Sequence, residues 1–151
     1  LKWLVLVHVL SAIIGIGPTY AFLIILRKNQ SATELKFSLR MGRILELFPK
    51  ILGTLAVVTG LILVFVGEYG AFTQLWLLGS LILFIIIQVI VVAIGPRWIK
   101  SLTAWVEVPA NQSFLTLPAP QASQLSKALG SARLASLIGL VLFIFMIMKP
   151  T

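Results

Sequence analysis

Residues 72–94 read FTQLWLLGSLILFIIIQVIVVAI, from Phe72 to Ile94, with no charged side chain. A helix needs about 20 predominantly apolar residues to cross about 30 Å of hydrocarbon, so this stretch is long enough to span a bilayer. Three further runs are long and predominantly apolar: residues 3–26, beginning at Trp3; residues 45–66, ending at Val66, with Glu46 and Lys50 near their start; and residues 130–148, ending at Met148, with Arg133 near their start. The fourth is short if it begins at Leu134, and reaches full length if it starts near Ala128 with Arg133 snorkelling to the interface. The expected fold class is all-α: one polytopic membrane domain over residues 1–151, built as a four-transmembrane-helix bundle.

The composition agrees. Of the 151 residues 60% are hydrophobic and only 11% charged, and the mean hydropathy is +1.10. Soluble domains carry about 25% charged residues, so a water-soluble globule is excluded. The net charge of +8 would point to nucleic acid in a soluble protein. Here the basic residues flank apolar runs, so lipid and topology account for them, and no nucleic-acid partner is expected. The chain has no cysteine, which removes disulfides, thiolate metal sites and cysteine nucleophiles. Its opening run exceeds the h-region of a signal peptide and is followed by Arg27-Lys28, so it reads as a span.

Lysine and arginine resist translocation, and their placement predicts orientation. The link between spans one and two carries Arg27, Lys28, Lys36, Arg40 and Arg43, and the link between spans three and four carries Arg97, Lys100, Lys127 and Arg133. The turn Gly67-Glu68-Tyr69-Gly70 has no basic residue, and the ends have only Lys2 and Lys149. Both termini should face outward and both basic links the cytoplasm, where the sequons at Asn29 and Asn111 would remain unmodified polar turns.

Those links should be partly helical. Ser31-Ala32-Thr33-Glu34 matches a capping box, and Leu35, Leu39 and Gly42 follow at helical spacing, so the second helix should begin in the cytoplasm and enter the membrane continuously. A similar extension should precede span four after Pro118 and Pro120. Between Trp98 and Pro120 the chain is mixed, with Pro109 as a further breaker.

Chemistry has few candidate carriers. His8 is the only histidine, about 7 Å below Trp3 in span one. An ionisable residue at that depth is a functional candidate as axial haem ligand, metal ligand or proton carrier. The plain alternative is a neutral imidazole hydrogen-bonded to a neighbouring helix. Met146 on span four reaches a comparable depth, and thioether with imidazole could ligate haem iron or a soft copper ion; methionine is also an ordinary filler of apolar packing.

A second group lies in the inner half. Tyr20, Lys50 and Gln88 each fall about 9 to 12 Å from the inner end of their helices and could form a polar cluster for an anionic group. Alternatively Lys50 snorkels and pairs with Glu46 in the favourable i,i+4 order. Pro18, in Gly15-Ile16-Gly17-Pro18-Thr19-Tyr20, should kink span one, while Ser11 and Gly15 fit a small-xxx-small packing face. No hydrolase constellation, zinc-type His-Glu motif or phosphate-binding glycine loop is present, so nothing points to an enzyme.

The early histidine in Leu4-Val5-Leu6-Val7-His8-Val9-Leu10, the glycine-rich end of that span, the basic link, and Gly53 to Gly60 with Thr59 resemble a bacterial family of predicted four-span integral membrane proteins, related in style to copper-resistance protein D-like membrane domains. The resemblance implies an inner-membrane protein and, through haem-binding relatives that use a span-one histidine, a b-type haem or other redox cofactor at His8. Those relatives offer further histidines or a partner lysine, which this chain lacks in that leaflet. Two other readings stand beside it. One is a non-catalytic subunit of a larger complex or homo-oligomer, resting on the bland span four and the abundant small residues. The other is a small transporter gated at Pro18, which the single broken span disfavours.

Overall fold

A computed structural model describes residues 2–67 and 74–149, and all regular structure among them is helical. The elements are α1 (Lys2–Ile25), α2 (Ala32–Leu45), α3 (Leu47–Val66), α4 (Leu75–Val89), a π-helical turn (Ile90–Ile94), α5 (Gly95–Val106), a 3-10 turn (Pro109–Ser113) and α6 (Ala119–Met148). Four helical stretches are long and apolar enough to cross a membrane: Lys2–Ile25, Ala32–Val66, Leu75–Val106 and Ala119–Met148. The expected turn at Glu68-Tyr69-Gly70 and the expected start of span three at Phe72 lie outside the described residues.

The entry to α2 is set by Ser31, whose Oγ accepts the Glu34 amide at 3.2 Å. The reciprocal half of the capping box differs from expectation. The Glu34 carboxylate accepts from the Ser31 hydroxyl and from Arg27, at 3.3 and 3.4 Å, while the first free amide of the helix, Ala32 N–H, donates to Phe114 O at 2.9 Å. The 3-10 link is thereby docked on the start of α2.

As the sequence predicts, one helical stretch runs from the basic link into span two, over Ala32–Val66, with a single irregular turn at Glu46, which keeps a helical backbone. Pro49 explains it. Its ring clashes with the carbonyl four residues back, at Leu45, and its missing N–H is tolerated only in a first helical turn. Starting α3 at Leu47 puts Pro49 in that turn.

Pro96 is handled differently. Span three was expected to end at Ile94, yet the helix continues to Val106. The intervening turn is π-helical, and the Gly95 amide donates to Ile90 O. This wider turn absorbs the proline that a regular α-helix would reject. Pro18, by contrast, leaves α1 helical throughout.

Burial is greatest at the basic end, where the links supply a core like that of a soluble protein: Leu26, Leu35, Leu39, Leu102, Leu125 and Leu129 are at most 2% exposed. Along the spans the pattern inverts. Ile24, Phe65 and Ile147 are 73%, 82% and 76% exposed, as required of side chains whose solvent is lipid. Span hydroxyls are silent for the same reason, since Thr54, Thr59, Ser80 and Ser136 donate back to carbonyls one turn earlier.

Within the bundle α1 packs on α3, and α4 on α6, with α1 also touching α6; the backbones of α3 and α4 do not approach each other closely among the described residues. Small residues set these seams. Ser11 and Gly15 are the buried residues of α1, and a Cβ on Gly15 would sit 3.0 Å from Leu52 Cβ and 3.1 Å from Gly53 N. Gly79 takes the Phe145 ring, at 2.6 Å from an added Cβ. The α1–α3 and α4–α6 pairs therefore close tightly on themselves and leave a gap between each other.

Candidate functional site

That gap is a cavity of about 390 Å³ at the end of the bundle bearing the termini, lined by α1, α3, α4 and α6. Its size is within the range of about 300–1,000 Å³ usual for small-molecule sites. The walls are almost wholly apolar, with Val5, Val9, Val64, Leu77 and Phe84 among them. Both His8 and Met146 line it, so α1 and α6 bring the two candidate ligands to one space.

The His8 ring is oriented from α3. Its Nδ1 lies 2.7 Å from Ala56 O and 3.2 Å from Thr59 Oγ1. A carbonyl can only accept, so Nδ1 carries the proton and donates it. The Thr59 hydroxyl is already spent on Leu55 O at 2.8 Å and presents His8 with a lone pair. A neutral imidazole with a protonated Nδ1 has a lone pair on Nε2, and Nε2 has no hydrogen-bond partner among the described residues. Backbone bonding of one ring nitrogen is how proteins commonly fix the other for ligation.

Room for the ring comes from Gly60. A Cβ there would sit 2.8 Å from His8 Cε1 and 3.3 Å from Nδ1, so any larger residue would push the imidazole off Ala56. At the cavity rim Lys149 Nζ stands 5.2 Å above the centre of the Trp76 ring, a distance suited to cation–π attraction. Trp76 Nε1 donates to Gln74 Oε1 at 2.9 Å.

The inner polar residues are not joined to one another by any hydrogen bond or ion pair among the described residues. Tyr20 is turned toward α6, where its hydroxyl donates to Ser136 O at 3.0 Å beside Gly139. The Lys50 ammonium is 2.9 Å from Glu46, with its side chain 57% exposed, following the i,i+4 alternative. Gln88 is half-buried on α4. The tyrosine serves helix packing, and the lysine is neutralised on its own helix face.

Ala56 and Trp76 escaped the reading by residue type, and Gly60 and Lys149 were read there only as a family motif and a topology signal. A backbone carbonyl carries no sequence signature, and a glycine that accommodates a ring looks like any other helix-packing glycine. Among the described residues no group of three or more histidine, cysteine, aspartate or glutamate side chains could hold a metal ion.

A family model described as "Predicted integral membrane protein (DUF2269)" matches residues 2–150. No curated protein and no solved structure matches the chain. The chain belongs to this DUF2269 family of integral membrane proteins.

Proposed function

We propose that this integral membrane protein holds a b-type haem in the cavity between its two helix pairs, where His8 Nε2 and the Met146 thioether would hold the iron. The observation that carries the reading is the Nδ1 bond to Ala56 O at 2.7 Å. In the neutral ring it leaves Nε2 as the bare nitrogen, on a side chain that lines an apolar cavity shared with a thioether. Donor arithmetic favours a macrocycle over a bare ion. Two protein donors are too few for a free metal site, whereas a porphyrin would bring four nitrogens of its own.

When bound, such a group supplies one-electron chemistry within the membrane. The protein's share is orientation and exclusion of water. Ala56 and Thr59 fix the imidazole, Gly60 makes space for it, and the aliphatic walls keep the site dry. Lys149 and Trp76 give the rim a cation and an aromatic face. By the positive-inside rule the links rich in lysine and arginine face the cytoplasm of a bacterial inner membrane, which sets the cavity toward the outer surface. A subunit role draws on small residues available to outside helices; those at positions 15, 42, 79 and 139 face neighbours within the chain, while Gly17 and Gly130 are exposed and open.

The test is the visible spectrum of the protein purified in detergent after haem supplementation. A Soret band is expected in the wild type and its loss in His8→Ala. Met146→Leu should keep the band and lower the reduction potential, since thioether ligation raises it. No band, or one that His8→Ala leaves unchanged, rules the reading out.

A further inference from the structure

A second cavity, of about 490 Å³, opens at the basic end between α2, α5, α6 and the inner end of α1. It shares no lining residue with the first. Its lining is largely apolar: Phe22, Leu39, Ile90 and Ile99 contribute to it, and α6 presents Ala128, Ser131, Ala132 and Ala135, small residues without long side chains. The π-helical turn contributes Ile90 and Val91. Turns of this kind recur at functional sites.

Two cations line the same space from different helices, Arg43 on α2 and Lys100 on α5. Neither has an ion pair or hydrogen bond among the described residues, where the salt bridges are Arg27–Glu34 and Lys50–Glu46. Two carboxylates also line the cavity, Glu46 and Glu107. Glu46 is occupied by Lys50 at 2.9 Å, so Arg43 and Lys100 face one uncommitted carboxylate, that of Glu107. The lining alone balances two cations against two carboxylates; with Glu46 taken up by Lys50, one positive charge is left over.

A largely apolar lining that carries cations, set where the spans meet their polar links, matches an amphiphile with a negative head. A soluble anion would have no use for the alanine wall. A zwitterionic lipid would bring its own cation to Arg43 and Lys100. We propose that this cavity binds an anionic phospholipid of the surrounding leaflet, with an acyl chain along the α6 alanines and the phosphate held by Arg43 and Lys100. Basic pockets between membrane helices hold anionic headgroups by the same physics. The inference is independent of any cofactor at His8.

Native mass spectrometry of the full chain, delipidated and then mixed with phosphatidylglycerol or phosphatidylcholine of identical acyl chains, tests it. Wild type should retain phosphatidylglycerol preferentially. Arg43→Gln and Lys100→Gln should each weaken that retention about fivefold, the usual value of one cation near a charged headgroup. Arg97→Gln should leave it unchanged, because Arg97 is exposed at the same end but does not line the cavity. Ala132→Leu should weaken retention of the lipid while both lining cations remain. Equal retention of the two lipids, or an Arg97→Gln loss as large as that of Arg43→Gln, overturns the proposal. So does full displacement by glycerol phosphate, which would make the ligand a soluble anion, or undiminished retention in Ala132→Leu.

Discussion

The imidazole Nδ1 of His8 and the carbonyl oxygen of Ala56 lie 2.7 Å apart, across the seam between α1 and α3. That carbonyl belongs to the membrane interior, where an unsatisfied donor is expensive, and it fixes a tautomer as well as an orientation. In ¹⁵N-histidine-labelled protein in micelles, the two-bond couplings should show a protonated Nδ1 and a bare Nε2. One histidine means one set of signals. Observation of the Nε2–H form would remove the basis for ligation.

Gly60→Ala tests whether the ring needs the space it has been given. The added methyl would fall 2.8 Å from His8 Cε1, and overpacking of this kind costs about 1–3 kcal/mol. We expect a lower thermal midpoint together with loss of any haem absorbance. Gly53→Ala is the matched control. It lines the same cavity, but its Cβ would meet nothing within 4 Å, so the melting point should not fall and should rise slightly through the helix interior's preference for alanine. Equal behaviour of the two variants would show that Gly60 does not position His8.

The spans were legible because hydropathy is a property of runs. Residues 72–94 carry their meaning regardless of what they touch, and the basic links that flank the spans are equally local signals. Helix interruptions were less so. Pro49 and Pro96 both stand at the edge of a span, yet one gives a single irregular turn at Glu46 and the other is absorbed by a π-turn. Nothing within a few residues distinguishes them. His8 and Met146 were found because a polar or sulfur side chain stands out in a hydrocarbon background. Their meeting in one cavity depends on α3 and α4 standing apart, which is a tertiary fact. Arg43 and Lys100 were read only as topology signals, since their common cavity joins residues far apart in the chain.

A second pair of glycines separates close packing from mere helix composition. The Phe22 ring occupies the place that a Cβ on Gly42 would take, whereas a Cβ on Gly130 would meet open space. Gly42→Ala should therefore lower stability by about 1–3 kcal/mol unless the phenyl ring can swing aside. Gly130→Ala, within helix α6 and exposed, should raise it by about 0.5–1 kcal/mol through reduced backbone entropy in the unfolded chain. Thermal melts of the two variants in one detergent decide the matter, and a stabilised Gly42→Ala would show that α1 and α2 are not packed through Phe22.

Sidedness can be settled without disturbing the charges that are thought to dictate it. The chain has no cysteine, so single substitutions report cleanly. Ser126 is exposed on the basic-end extension of α6, and Met148 is 72% exposed at the opposite end of the same helix. The 30 residues of α6 rise about 45 Å at 1.5 Å each, enough to carry one end beyond each face of the hydrocarbon. In intact cells a membrane-impermeant maleimide should label Met148→Cys and spare Ser126→Cys until the membrane is opened. The opposite pattern would put the basic links outside. It would then place the His8 cavity on the cytoplasmic side and Arg43 and Lys100 in the outer leaflet, so this single measurement fixes which leaflet each cavity can draw its ligand from.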